Sequence, residues 1–444
     1  MNRRLAVTLG LVAAFLLAGG AVAGPSASQA ADDLISKLLQ ESPPAQTPAA
    51  KLPPHAGAPP VGPVPIVMGV RIGEHDDRTR FVVEVSDPVA MRVFTLANPN
   101  RVVIDMPAVQ WHLDGPPRPT GTGAVKSYRY GLFRPGNSRF VIDLNKAMKA
   151  SDPLVLPPSG GYGYRVVIDL FPTTADQFDR AAGWPADLKA REAAAEQLAA
   201  LPPAPSPAPP ALEKRIIVID AGHGGIDSGT SGVNGLMEKD LVLDEALRLG
   251  RELVRRSNYT VHLTRDSDVY IPLKERVNIA RSWHADLFIS LHADSNPDAS
   301  VNGLSIYTLS ERGSDREAAA LAQKENQSDV IAGVDLGGGN STIAPILIDL
   351  AQRDTMNRSS RFAQGAVTQL QAATDILPRQ PHRAAAFVVL KAPDVPAVLI
   401  ELGYLSNQSD ADQMNTVRWR NGVARAVAAS VDGFFTPVAA SPYP

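Results

Sequence analysis

The chain has 444 residues, 44% hydrophobic and 20% charged, with a net charge of −3 and no cysteine. That length predicts two or three domains, the composition is that of a globular protein, and the charge offers no basic face for nucleic acid. The absence of cysteine excludes disulfides and a lipid-modified N-terminal cysteine.

Arg3-Arg4 precede the apolar run 5–17, and Ala21-Val22-Ala23 follows it. A charged region, an apolar region and a small-residue cleavage site make residues 1–23 a secretory signal peptide, cut after Ala23. The paired arginines leave both the Sec and the twin-arginine route open. The run is short for a membrane span, and no second segment is long and apolar enough to be one. The cleaved protein is expected in solution in an envelope compartment. Residues 24–63, rich in Ala, Pro, Ser and Gly, cannot build a core and read as a linker.

Residues 64–172 change character. Short β-branched runs (Phe81-Val82-Val83-Glu84-Val85, Arg101-Val102-Val103-Ile104-Asp105, Arg139-Phe140-Val141-Ile142-Asp143, Arg165-Val166-Val167-Ile168-Asp169) alternate with turn residues such as Asn98-Pro99-Asn100. They predict an all-β sandwich domain, and the recurring Arg-to-Asp unit hints at a pair of similar sheets. His75 and His112 read as surface residues. Residues 173–213 form a second linker. In it, 187–201 favours a helix and 202–210 is a stiff proline-rich spacer, expected to hold the β domain at a distance from the C-terminal half.

From 214 to 435 strands and helices alternate. Strands are predicted at 215–219, 260–263, 287–291, 303–308, 387–390 and 397–400. Helices are predicted at 240–256, 273–283, 315–325, 359–373 and 410–434. This is an α/β fold, a mostly parallel sheet flanked by helices. Residues 436–444 form a tail.

Three apolar strands deliver a ligand-type residue at or just past their end. The run 216–219 leads into Asp220-Ala221-Gly222-His223-Gly224-Gly225, 287–291 into His292, and 397–400 into Glu401. Ligands of open α/β sheets bind outside the carboxyl ends of the strands. A lone His after a strand is commonly structural. Here the glycine flanks, which let backbone approach a bound group, and the matching His292 favour a metal. Glu238 opens the helix after the glycine loop, either as a third ligand or as a helix N-terminal carboxylate. A carboxylate closing a buried strand needs a partner, and Glu401 beside an activated water would have one. Catalytic Zn2+ keeps three protein ligands and one open position, which fits His223, Glu238 and His292 with Glu401 as general base. No His-Glu-x-x-His motif is present. His262 and His284 read as structural. His382 is a candidate substrate contact. Arg276 is either a helix-surface cation or a second such contact.

Residues 214–229, Glu238-Lys239-Asp240, 285–293 and 396–407 closely resemble the zinc-dependent N-acetylmuramoyl-L-alanine amidases, and the resemblance spans 214–435. It implies Zn2+ on His223, Glu238 and His292, and Glu401 as the essential carboxylate. The implied substrate is peptidoglycan, cut between N-acetylmuramic acid and L-alanine. The β domain, 64–172, resembles the AMIN domain of these enzymes, which implies wall binding, septal targeting and a periplasmic location.

The stretch 310–354 exceeds a plain connection, and such excursions are usually functional or disordered. It resembles the insertion that lays a helix over the zinc cleft in amidases of Gram-negative envelopes. That implies autoinhibition by a carboxylate, Glu325 or else Glu317, and release by a LytM-type activator protein. The alternatives are an ordinary surface helix pair and, for the whole chain, a zinc peptidoglycan endopeptidase or carboxypeptidase, or a non-catalytic wall-binding protein.

Overall fold

The computed structural model describes residues 64–113, 121–134, 136–159, 161–190, 214–334 and 346–436, with side chains of the helix opening the last stretch described from 353. The expected signal peptide, the linker 24–63, the proline-rich spacer and the tail from 437 lie outside the described residues, as do 335–345 of the insertion.

The β domain contains β1 (Ile66–Glu74), β2 (Thr79–Val85), β3 (Arg92–Leu96), β4 (Arg101–Pro107), β5 (Gln110–Trp111), β6 (Val125–Arg134), β7 (Asn137–Leu144), β8 (Met148–Ala150), β9 (Leu154–Leu156) and β10 (Tyr164–Pro172), followed by α1 (Ala175–Ala181). The first sheet is ordered β5-β1-β2-β10-β8 with β9 on β10, and the second β3-β4-β7-β6. Strand alternation builds the sandwich. Phe81, Val83, Ile104, Phe140, Ile142, Val166 and Ile168 point between the sheets into one core.

The repeated Arg-to-Asp unit acquires a structural meaning here. β4 and β7 run antiparallel, with Arg101 opposite Asp143 and Asp105 opposite Arg139. In the other sheet β2 and β10 place Arg80 opposite Asp169 and Glu84 opposite Arg165. Both sheets carry the same crossed rungs on their outer faces. The Arg139–Asp105 and Arg80–Asp169 pairs close at 2.5 and 2.7 Å.

The second domain contains β11 (Arg215–Ala221), α2 (Glu238–Arg255), β12 (Tyr259–Leu263), α3 (Leu273–Ser282), β13 (Leu287–His292), β14 (Ser305–Leu309), α4 (Arg316–Glu325), α5 (Ser328–Ile331), α6 (Ile346–Leu370), β15 (His382–Ala385), β16 (Ala397–Glu401), α7 (Gln408–Met414) and α8 (Val417–Phe435). Its sheet is ordered β12-β11-β13-β16-β14-β15. The pairings from β12 to β16 are parallel, and β14 is antiparallel to β16. Strands buried on both faces need cover on both. Leu241 and Leu249 of α2, Phe362 of α6 and Val427 of α8 cover one face. Leu273 and Val277 of α3 and Ala318 and Leu321 of α4 cover the other.

Three expectations are corrected. The run 387–390 is not a strand. His382–Ala385 pairs with β14 instead, and Val388–Leu390 makes a 3-10 turn that buries Val389 and Leu390, because a short apolar run satisfies the core in either conformation. The helix over 410–434 is two. α7 ends at Met414, and Thr416 caps α8 by accepting from Trp419 N. The β domain is not held at a distance. Leu96, Val103, Phe133, Val141 and Trp184 share a buried cluster with Ile226, Tyr270, Ala332 and Val334. Gly131 lies so close that an added Cβ would sit 2.6 Å from Ile226 N. Apolar burial across this contact decides the arrangement.

Candidate active site

β11, β13 and β16 end side by side, and their register sets His292 directly opposite Glu401. Beyond β11 the chain turns sharply, with His223 at φ 57° and Gly224 and Gly225 also at positive φ. A non-glycine residue in that region stores strain that its surroundings must hold. Arg276 supplies part of the hold. It is buried under the loop and donates to Asp220 at 2.8 Å, to the Ala221 carbonyl at 2.7 Å and to the His223 carbonyl at 2.7 Å. Neither expectation for Arg276 survives. It is not a surface cation, and its donors are spent on the chain itself rather than turned to a substrate. Gly222 is small for a reason: a Cβ there would lie 2.4 Å from His292 Nε2.

The two imidazoles meet edge to face with ring centroids 4.9 Å apart. Asp227 pairs with His223 Nδ1 at 2.9 Å, which fixes the ring and leaves Nε2 directed into the site. Glu238, the first residue of α2, is buried. Its Oε1 accepts from Ala293 N at 2.9 Å and its Oε2 from Thr230 N at 2.8 Å. The same Oε1 lies 3.1 Å from His223 Nε2 and 3.4 Å from His292 Nδ1. Glu325, the last residue of α4, brings Oε2 to 3.4 Å from His223 Nε2 and 3.1 Å from His292 Nδ1. Neither imidazole nitrogen is aligned for a hydrogen bond, and Glu401 Oε1 is likewise buried without a hydrogen-bond partner among the described residues. The remaining oxygen of Glu401 accepts from Asp294 N at 3.0 Å.

Buried polar atoms are normally satisfied. Three unsatisfied ones in one place, amid an excess of carboxylates, suit a cation. His223, His292 and Glu325 each offer a ligand atom, all within 4.8 Å of one another, an arrangement that could hold a metal. The electrostatics agree. Burial alone would depress the His223 imidazole, but Glu238, Asp227 and Glu325 hold its pKa well above the usual value. Burial pushes the Glu401 carboxyl well up, and Asp294, Glu238 and Glu325 add to this against the opposing pull of His292.

The structure therefore brings together His223, Glu238, His292, Glu401 and Glu325. It sets Glu317 apart: that side chain is mostly exposed and accepts from Arg383 at 3.0 Å. His382 is on the edge strand β15, its Nε2 3.0 Å from Thr308 Oγ1, and is not part of the group. Asp227, Asp294 and Lys324 escaped the sequence reading. Lys324 bonds Asp294 and also donates to Thr230 Oγ1 at 3.1 Å. The one signal for Asp227 was its place four residues after His223, within a glycine-rich loop.

A family model described as N-acetylmuramoyl-L-alanine amidase matches residues 217–432, and one described as the AMIN domain matches residues 69–170. The chain is 33% identical over 386 residues to the N-acetylmuramoyl-L-alanine amidase AmiC of Escherichia coli O6:H1, covering 83% of this chain and 89% of that protein. It is 32% identical over 378 residues to AmiC of Neisseria meningitidis serogroup B, covering 83% and 90%. The solved N-acetylmuramoyl-L-alanine amidase AmiC2 of Nostoc punctiforme aligns with a TM-score of 0.37 and 25% identity, over 50% of this chain and 96% of that one. By sequence, the chain belongs to the N-acetylmuramoyl-L-alanine amidase family and carries the family's catalytic domain behind an AMIN domain.

Proposed function

We propose that the chain is a zinc-dependent peptidoglycan amidase of the cell envelope, exported by its signal peptide to the periplasm, that splits septal wall and is held inactive by Glu325. The observation that carries this reading is the pair of imidazole nitrogens that face the Glu238 and Glu325 carboxylates without a hydrogen bond among the described residues, beside a Glu401 oxygen that also has none. His223 through Nε2, His292 through Nδ1 and Glu238 through Oε1 are the residues that would hold Zn2+. When bound, Zn2+ supplies Lewis-acid chemistry, activating water and polarising the lactyl–alanine amide carbonyl. Glu401 takes the proton from the attacking water and gives it to the departing L-alanine amine, leaving a lactyl carboxyl and a free amino group.

Glu325 Oε2, 3.4 and 3.1 Å from the two imidazole nitrogens, would exclude water or substrate from a metal held there. Lys324 on Asp294 ties the helix end down. Activation then requires α4 to leave, which is work for a partner protein of the LytM type. The AMIN domain supplies binding to the wall.

The test is dye release from labelled peptidoglycan by the purified chain, with and without a chelator, beside Glu325→Ala. We expect low release from the parent and at least about tenfold more from Glu325→Ala, abolished by chelator and restored by Zn2+. Equal release from both would remove the block. Release that ignores the chelator would remove the metal. Mass spectrometry of the products should show intact stem peptides with free L-alanine amino ends.

A further inference from the structure

We propose that the outer face of the second β-domain sheet is a docking surface for the chain's own α5 end, so that the wall-binding domain helps to hold the blocking helix in place. This rests on the reading of Glu325 as the block. Three adjacent strands contribute an arginine each. Arg101 of β4 donates to the Val330 carbonyl at 2.6 Å, and Arg129 of β6 to the Ile331 carbonyl at 2.5 Å. Arg139 of β7 donates to the carbonyls of Ala332 and Gly333 at 3.1 and 3.0 Å. Trp184 Nε1 also reaches the Gly333 carbonyl, at 3.4 Å. Four consecutive carbonyls at and just past the end of α5 are thus taken, the Val330 carbonyl accepting from Gly333 N as well.

Two of the three arginines are also held by carboxylates of their own sheet. Arg139 is held by Asp105 at 2.5 and 2.8 Å, and Arg129 by Asp143 at 2.5 Å. Arginine offers donors only, so Arg101 and Arg139, both almost fully buried, need acceptors where they are. Between them Val103 and Val141 meet Ala332 and Val334. Gly333, at φ +69°, fits where no larger residue would. A Cβ there would stand 2.9 Å from a Val141 methyl and 3.2 Å from a Val103 methyl.

The same strip reaches the catalytic group without a break. Glu325 lies against both imidazoles. Ser328 bonds Asp227, the carboxylate that orients His223. Asp329 accepts from Tyr270 Oη at 2.6 Å and from Leu273 N at 3.0 Å. A grip at 330–333 therefore fixes the position of Glu325, and letting go there frees it.

The experiment compares four full-length proteins: the parent, Arg129→Met, Gly333→Val and Glu325→Ala. Each is assayed for dye release without activator and for amide hydrogen exchange over 324–334. Arg129→Met and Gly333→Val are expected to speed exchange in that stretch and to raise release at least about threefold. Glu325→Ala is expected to raise release with exchange at 330–333 unchanged. Parent-like exchange and release in both grip variants, with release raised by Glu325→Ala, would overturn the proposal and leave the block standing. Faster exchange in the grip variants with no rise in release from any of the three would support the grip and overturn the block. Should Arg129→Met unfold the β domain, seen as a lost thermal transition, Gly333→Val decides, since it leaves that domain's sequence intact.

Discussion

Glu245 lies on the buried side of α2, and neither of its carboxylate oxygens has a hydrogen-bond partner among the described residues. Burial pushes its pKa from the ordinary 4.5 up to about 8. The folded chain therefore keeps this proton up to about pH 8, while the unfolded chain releases it near 4.5. Between those values the folded state binds more protons, so its stability falls as pH rises. Glu245→Gln should leave the melting temperature unchanged near pH 4.5 and raise it progressively toward pH 8, by an amount worth on the order of a few kcal/mol. Parallel melting curves for the two proteins across that range would refute the assignment. For Glu401 the proposed role is proton transfer in the reaction. Glu401→Gln keeps the shape and the Asp294 N–H contact, and should lower dye release at least about 100-fold with an unchanged fold by circular dichroism. The strand-end residues His223, His292 and Glu401 were legible because a polar group terminating an apolar run contributes nothing to the core and is costly to bury without a bound partner. Glu238 reads as a metal ligand with a helix N-terminal charge as the alternative, and in the structure both its oxygens accept from backbone N–H groups of neighbouring segments. Arg276 was misread although its register was visible: Leu273, Arg276, Val277 and Ala280 form the buried stripe of α3, and a cation on such a stripe has to be paired.

Helix α4 has its own determinants. Asp315 caps it by accepting from Ala318 N at 2.8 Å, Ala318, Leu321 and Ala322 face the core, and Glu325 lies on the same buried side at the far end. Glu325, the proposed block, is therefore positioned by helical periodicity rather than by a flexible side chain reaching inward. Length and composition point to a functional excursion, and the resemblance implies a blocking carboxylate there, Glu325 or else Glu317. Position along the helix separates them, since eight residues set the two carboxylates about 12 Å apart along the axis, with Glu317 exposed on Arg383 and Glu325 against the imidazoles. At the other end of the domain, Thr416→Ala should remove the α8 cap and cost about 1 kcal/mol of unfolding free energy, measurable as a shifted urea midpoint with an unchanged slope. The sequence reading merged α7 and α8 because both halves share helical periodicity. The break comes from capping, as Asn407 and Thr416 each accept from a helix N–H.

Across the whole molecule, the apolar cluster from Leu96 to Val334 belongs to both domains. Its residues read separately as strand, loop and insertion, so the sequence offered no sign that they meet. The stiff spacer even suggested separation. Long-range contacts of this kind are set by complementary surfaces, which have no local pattern. Because Ile226 is buried against Phe133 and Trp184 in that cluster, Ile226→Asp should place an unpaired charge at the junction. The single cooperative melting transition expected of the parent should then split in two, with Trp184 fluorescence following the first.

The crossed arginine rungs of the β domain occur on both of its sheets, and only the second sheet is turned toward α5. The Arg80–Asp169 rung of the first sheet keeps partial contact with solvent. On the proposed reading the domain would serve as a two-sided adaptor. Whatever settles on its first face would not contest the ground held by the second, so wall anchoring and restraint of the enzyme would be additive properties rather than rivals.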